Sequence, residues 1–349
     1  MTPRERWLAL FANEKPDRVP TDYWATDEVT DRLLRELRCK DLEELYCRLN
    51  IDGLTRIEPR RLKLHHPDDP TADIWGVRKR FINYGSGFYE EFETHPLEHV
   101  GSVEQVHEFK WPSAEDHDFK LFEEQIKRAP RHRMIRSGEF EPFLLYCAMR
   151  GLEQGFMDFL EHPDVLEAAL SHIFDYHYEL NQRIYEIGEG IIDITYLAED
   201  LGAQEGLLMS REDIRKFILP NQKRMADLAR SYGIHIFYHT DGDVRSVIPD
   251  LINVTGIELL NPIQWRCPSM NRQELVRDFG DKIIFHGAMD NQKTLPFGSL
   301  EEIREEVLDN IGIFSHARWI CAPCHNLQPI TPTENIIAMY RTIYEHGRL

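Results

Sequence analysis

The sequence predicts an α/β protein of (β/α)8 barrel type. Three observations point there. Short apolar runs alternate with amphipathic stretches along the whole chain, there are eight such runs, and most of them end in residues able to do chemistry. The runs are 18–24, 51–57, 133–138, 191–198, 234–239, 256–260, 282–285 and 318–322. Near-continuous apolar strands separated by helices suggest a parallel sheet covered on both faces. An open doubly wound sheet would usually carry a Gly-rich phosphate loop. No G-x-G-x-x-G or G-x-x-x-x-G-K-[ST] opens a helix here.

The helices are marked by their starts. Ser210 precedes a helical pattern over 211–231, Ser299 precedes one over 300–311, and Thr331-Pro332-Thr333-Glu334 opens the last. Asp243 suits an N-cap before 244–253, and Asn261-Pro262 suits a turn. Cys39 and Cys47 fall in helical patterns as packing thiols. Residues 62–119 fit the alternation poorly. They hold Trp75, Tyr84, Phe88, Tyr89 and Trp111 among charges and glycines, and read as an insertion with its own small core, packed over one barrel end. The whole chain, 1–349, is thus one barrel domain with an insertion.

Composition limits the partners. A formal charge of −19 repels phosphate backbones, which argues against nucleic acid. No stretch approaches 18 uninterrupted apolar residues, which argues against a membrane span. Glu5, Asn13 and Glu14 break up the start of the chain, and six cysteines without an export signal read as cytoplasmic thiols. Covalent haem attachment normally follows export, so the C-x-x-C-H of Cys321–His325 is not expected to hold haem. The oligomeric state is not set by the sequence; a homodimer is allowed.

Chemistry in such a barrel gathers where strands end. Those ends offer Asp22, Tyr23 and Trp24; Glu139 and Glu141; Glu199, Asp200 and Gln204; His239 and Asp241; Asn261 and Gln264; His286 and Asp290; and Cys321, Cys324 and His325. A single polar strand end often only caps the next helix, but eight on one rim suggest a site. His239 and Asp241 are the sharpest pair. Their i, i+2 spacing aims both to one side of a continuing strand, and imidazole with carboxylate suits zinc, iron or manganese. Asp241 orienting His239, without metal, is the plainer alternative. A third ligand would come from His325, Cys324 or Cys321, with Glu199 or Asp200 as a fourth. Cys321 and Cys324 alone are a weak zinc signal, since no second C-x-x-C exists.

Longer stretches carry a resemblance. They include RERWLALFANEKPDRVP at the start, DIWGV at 73–77, HPLEHVGSVEQVHEFKWP at 95–112, RGLEQGFMDFLEHPDV at 150–165 and EDLGAQEGLLMS at 199–210. Further along come HTDGDVRSVIPDLINVTGIELLNPIQ at 239–264, HGAMDNQKTL at 286–295 and HNLQPITPTENIIAMY at 325–340. Together these resemble the uroporphyrinogen decarboxylase superfamily, in particular its cobalamin-dependent methyltransferase-like branch. The resemblance implies a distorted (β/α)8 barrel with its site at the strand carboxyl ends. It also makes C-x-x-C-H a coincidence, because the family's last strand and helix meet at His325-Asn326-Leu327-Gln328.

Porphyrinogen decarboxylases grip substrate carboxylates with an arginine-rich N-terminal segment; here the first strand gives TDYWATDEV instead, which disfavours that activity. The methyltransferase branch implies a zinc on a His-x-Cys motif and a late Cys. Carried over by position, these fall on His239, Asp241 and His325, with Cys324 adjacent. Replacing thiolates by Asp and His makes a harder site, suited to polarising an ether, alcohol or amine. The resemblance therefore implies methyl transfer from a small methylated substrate, such as an aromatic methyl ether, to cobalamin. No D-x-H-x-x-G motif is present, so the cobalamin would ride on a separate corrinoid protein. Asp200, Glu199, His286 and Tyr23 would be catalytic. Trp24, Glu139, Gln204, Asn261, Gln264 and Asp290 would bind substrate. A decarboxylase or other lyase, using Arg136 and Arg266 to hold a carboxylate, is one alternative; a barrel that only binds a ligand is another.

Overall fold

The computed structural model describes residues 1–83 and 88–349. Seven strands form one curled sheet: β1 (Leu54–Arg56), β2 (Met134–Phe140), β3 (Ile194–Ala198), β4 (His235–His239), β5 (Leu259–Asn261), β6 (Ile284–Met289) and β7 (Trp319–Pro323). Neighbours in the sheet are neighbours in sequence, and every pairing is parallel. The alternation in the sequence therefore reads correctly: seven of the eight apolar runs supply the seven strands, in order.

The run 18–24 behaves differently. Thr21 makes a single parallel bridge to Cys321 of β7, with the Cys321 amide donating to Pro20 O (2.9 Å) and the Asp22 amide donating to Cys321 O (3.0 Å). On its other side the Gly53 amide donates to Thr21 O (2.9 Å). Pro20 has no N–H, so a ladder cannot extend back through it. A bridge between β7 and the approach to β1 is what remains of the expected first strand.

Side chains alternate across the curled sheet. Ile135, Leu197, Ile236, Leu260 and Phe285 face the surrounding helices in the large core. Met134, Ile194, Phe237, Leu259, Ile284 and Ile320 face the interior, where they meet Trp7 and Leu10 of the helix Pro3–Phe11. That helix stoppers the amino-terminal end of the strands. The strand carboxyl ends lie at the opposite mouth.

Helix starts agree with the sequence where caps are strong. Ser299 accepts from the Glu302 amide and Glu302 returns the bond, a complete capping box for Leu300–Ile313. Ser299→Ala is expected to cost about 1 kcal/mol in denaturant unfolding. Ser210 likewise accepts from the Asp213 amide (3.0 Å). The helix it opens is not uniform, however. Arg211–Asp213 passes into a wider π turn at Ile214–Ile218 before Leu219–Ser231. Pro220 cannot donate to the preceding turn, and the wider turn falls next to it.

Other local expectations need correction. Asp243 does not cap a helix; its carboxylate accepts from the Ser269 amide (2.8 Å) and hydroxyl. Cys39 is a buried packing thiol as expected but lies beyond the helix Asp27–Glu36, and Cys47 on Leu42–Leu49 is exposed rather than packed.

Residues 62–119 contain a hairpin, Arg78–Asn83 with Phe88–Thr94, the short helix Val103–Glu108 and a 3-10 turn at Ala114–Asp116. Trp75 stacks on His177 and meets Trp111 edge-on, while Trp111 stacks on His172. These aromatics thus pack on the helix Pro163–Ile187 as well as on each other. Tyr84 lies outside the described residues, as do the side chains of Phe88 and Tyr89. Among the described residues, no helix is long and apolar enough to cross a membrane.

Candidate active site

Three interior positions repeat one pattern: Phe237-x-His239, Leu259-x-Asn261 and Ile284-x-His286. The first member of each faces the stoppered interior, and the second stands two residues nearer the mouth. Parallel register brings the second members side by side. His239 pairs with Asn261, and Phe285 with Leu260 one position before His286. A polar row is thereby laid across an apolar layer.

The row is continuous. His239 Nδ1 meets Asn261 Oδ1 (2.6 Å), Asn261 Nδ2 meets His286 Nδ1 (2.6 Å), and His286 Nε2 meets Asp22 Oδ2 (3.0 Å). Trp24 Nε1 donates to the same Asp22 oxygen (3.0 Å). The carboxylate at the far end fixes every polarity. An ionised Asp22 only accepts, so His286 donates from Nε2. With one ring proton, His286 then accepts at Nδ1 from the Asn261 amide. The Asn261 oxygen is left for His239, which donates from Nδ1. His239 Nε2 therefore carries a lone pair, aimed away from the row. This assignment follows from the network rather than from observed hydrogens.

That lone pair faces carboxylates. His239 Nε2 lies 3.9 Å from Asp200 Oδ1 and 3.9 Å from Asp241 Oδ2, and His325 Nε2 lies 3.6 Å from the same Asp241 oxygen. One ligand atom each from Asp200, His239 and Asp241 fits within 4.8 Å of the others. Asp241 Oδ1 is buried and has no hydrogen-bond partner. An orphaned carboxylate oxygen beside an unprotonated imidazole nitrogen is a donor set that a divalent cation fits. Burial holds the His239 imidazole below the usual range, which keeps Nε2 free, and burial pushes the Asp241 carboxyl up.

Two glycines allow this convergence. Gly242 has φ +82°, and a Cβ there would sit 2.5 Å from Gly202 C and Ala203 O. A Cβ on Gly202 would meet Asp241 O at 2.7 Å. The loop after Asp200 and the turn after His239 can touch only because neither glycine has a side chain. The strand itself ends at His239, so Asp241 joins the cluster from that turn rather than from a continuing strand.

The expected site residues separate into groups. His239, Asp241, Asp200 and His325 come together as described. Tyr23 and Trp24 line an open cleft of about 710 Å³, with Arg56, Arg136, Glu139 and Tyr196. Trp24 stacks on His239 (5.6 Å, 16°), and Tyr196 leans against the same imidazole (5.7 Å). Tyr23 bonds Thr30 (3.0 Å) and burial raises its hydroxyl to about 12.

The others are engaged elsewhere. Glu199 is fully buried, accepting from the Phe143 (2.7 Å) and Leu144 (3.0 Å) amides at the start of the helix Pro142–Arg150; burial raises it well above the usual range. Asn261 and His286 sit inside the polar row, so their polar atoms orient His239 rather than face the cleft. Asp290 pairs with Arg266 and accepts from the Lys293 (3.1 Å) and Thr294 (3.0 Å) amides. Gln264 accepts from the Gly242 amide (2.5 Å), and Gln204 reaches Gln292 (3.4 Å). Cys324 is buried, donates to Ile263 O (3.1 Å) and has its thiol pushed well up by burial, while Cys321 is also buried. Neither thiol joins the cluster.

Sequence reasoning assigned no role to three residues that matter. Asp22 anchors the polar row, and the F-x-H, L-x-N, I-x-H repeat was the signal for it. Tyr196 forms the wall between His239 and the cleft. Glu141 is raised to about 7, by burial first and then by Asp200, Glu139 and Asp241.

A curled, all-parallel seven-stranded α/β sheet, stoppered at one end, bears a convergent polar cluster at its carboxyl mouth, the place where parallel α/β folds put their active sites. The sequence model of the uroporphyrinogen decarboxylase (URO-D) family matches residues 99–346, most of the chain. The chain belongs to that family. No curated protein matches it by sequence. Among solved structures it is similar to a methyltransferase from Methanosarcina mazei, with 20% identity, 99% of each chain covered and a TM-score of 0.66. It is also similar to a B12-independent methionine synthase from Shewanella sp. W3-18-1 in complex with selenomethionine, at 10% identity over 95% of this chain and 97% of that one, with a TM-score of 0.48. The first likeness establishes the fold; the second is too loose to carry an argument.

Proposed function

We propose that this protein transfers a methyl group from a small methylated substrate to the cobalamin of a separate corrinoid protein. The observation that carries the reading is the free Nε2 of His239, set by the Asn261–His286–Asp22 row toward Asp200 and Asp241, behind the Trp24 and Tyr196 rings that line the open cleft. His239, Asp241 and Asp200 would hold a zinc ion, with His325 close enough to complete its shell. The chemistry that zinc supplies in such a shell is Lewis-acid polarisation of the heteroatom bearing the methyl group. The protein's own groups do the rest. Trp24 and Tyr196 wall the imidazole and exclude water, Tyr23 lines the cleft, and Glu141 can hold a proton near neutral pH for the demethylated heteroatom. The Methanosarcina likeness supports the reading at the level of fold.

Finer structural readings belong to the same proposal. The bridge at Thr21 closes the sheet as an eighth staved position of a (β/α)8 barrel. Residues 62–119 are an insertion in that barrel, and the protein works in the cytoplasm.

The test is donor demethylation by the anaerobically purified protein, followed by mass spectrometry with and without a corrinoid protein. Loss of the methyl group that requires both corrinoid and bound zinc is expected. Full demethylation by chelated, metal-free protein would remove the metal role, and carbon dioxide release without corrinoid would replace transfer by a lyase reaction. The supporting row is tested separately. Asn261→Leu is expected to weaken zinc binding about 10–100-fold in a competition titration, since it frees the His239 ring. Unchanged affinity would show that the row does not orient the ligand.

A further inference from the structure

The cleft holds a cation that lacks an anion. Arg56 and Arg136 are in-register neighbours on β1 and β2, and both line the cleft. Like charges side by side on adjacent strands repel, so such a pair needs counter-charge. Arg56 has it, from Glu139 (2.6 Å) and Glu58 (3.4 Å). Arg133, the third arginine of the cleft, pairs with Glu43 (2.9 Å) and donates to Ile51 O (2.8 Å). Arg136 does not. Among the described residues no carboxylate oxygen lies within 4.0 Å of its guanidinium, and its buried Nε has no hydrogen-bond partner. The acids nearest in charge are already engaged: Glu139 by Arg56, and Glu58 by Arg56 and by the Gly138 amide (3.1 Å). The guanidinium carbon lies over the Tyr196 ring, 4.2 Å from its centre. That cation–π contact holds the guanidinium at the cleft wall, with N–H donors left for a ligand.

We propose that Arg136 receives a carboxylate on the substrate, so that the cleft takes a small methylated acid. Tyr196 stands between this receptor and the metal cluster, with its ring 5.7 Å from that of His239, so guanidinium and imidazole lie within about 10 Å of each other. A carboxylate and a methylated heteroatom separated by no more than one aromatic ring would span them. The methyl group in this proposal rests on the methyl-transfer reading; the carboxylate rests on Arg136 alone.

The test uses the intact protein without corrinoid. Methoxyacetate is compared with methoxyacetamide, and 3-methoxybenzoate with 3-methoxybenzamide, by calorimetry and thermal shift. In at least one pair the acid is expected to bind about tenfold or more tighter than its amide, as a charge-assisted bidentate contact would give. Arg136→Met should bring that ratio to within about twofold, and Arg136→Lys should restore part of it. Arg136→Met should also keep or raise the melting temperature, because a desolvated, unpaired charge is removed. Two outcomes overturn the proposal: no acid preference in either pair, or a preference that survives Arg136→Met. A variant that melts lower and keeps the preference would make Arg136 a packing element on Tyr196. Acids that bind through Arg136 but keep their methyl group when corrinoid is supplied would defeat methyl transfer and leave the receptor standing. Neutral ethers demethylated as readily as acids would do the reverse.

Discussion

Alanine at position 239 is expected to abolish activity and bound metal together. His239 contributes the nitrogen donor of the Asp200–His239–Asp241 group, and its Nε2 is aimed there by bonds reaching back to Asp22. Without it the two carboxylates keep only the half-exposed His325 beside them, a poorer shell for zinc and a more repulsive one in its absence. Elemental analysis should fall from about one zinc per chain toward none. Demethylation should fall by more than about a hundredfold, the scale on which a single group acting on the reacting atoms counts. The fold should survive, because His239 lies at the mouth and the apolar layer beneath it is untouched. Circular dichroism and a melting curve separate the two effects. A His239→Ala protein that retains both metal and turnover would place the chemistry elsewhere.

Glutamine in place of Glu141 is expected to change how stability depends on pH. Its carboxyl is raised from 4.5 to about 7, chiefly by burial. The folded protein therefore keeps this proton across a window in which the unfolded chain has released it. The stability it contributes is present below about 4.5 and is lost as pH rises through about 7. The shift corresponds to at most about 3 kcal/mol. Denaturant unfolding of metal-free protein at pH 4.5, 6 and 8 should show this decline in the wild type, and Glu141→Gln should flatten it, gaining most at pH 8. Loading zinc should weaken the effect, since a cation among Asp200 and Asp241 opposes the repulsion that raises Glu141. Parallel curves for the two proteins would mean that Glu141 ionises normally.

Much of the architecture could be read from apolar periodicity, because parallel strands buried on both faces leave long apolar runs. The run 18–24 shows the limit: its apolar pattern is strand-like, yet Pro20 withholds the donor that a ladder needs. Site residues were read less evenly. His239 and Asp241 were found because a strand end and a turn keep them close in sequence. Asp22, Asn261 and His286 come from three distant segments, and only parallel register makes them one hydrogen-bonded row. Glu199 looked available beside Asp200, but adjacent residues near a strand end face opposite ways, and the helix at Pro142 claimed its carboxylate. Cys324 sat in a motif whose spelling suggested a ligand, while Ile263 O holds its thiol. Charge pairing is the least legible layer: the sequence offers Arg136 and Arg266 alike as carboxylate partners, and only the ion pairs show that Arg266 is taken by Asp290, as Arg56 is by Glu139, while Arg136 is not.

Trp7 and Leu10 seal the amino-terminal end of the curled sheet, so the polar cluster is approached from the carboxyl ends of the strands. On the methyl-transfer reading proposed above, a methyl donor and a bulky acceptor protein would take turns at that end. The donor would have to board first, since a docked corrinoid partner covers the way in, and the demethylated product could leave only after that partner departs. Steady-state kinetics should accordingly show a compulsory order, with excess acceptor protein slowing turnover by blockade and excess donor relieving it.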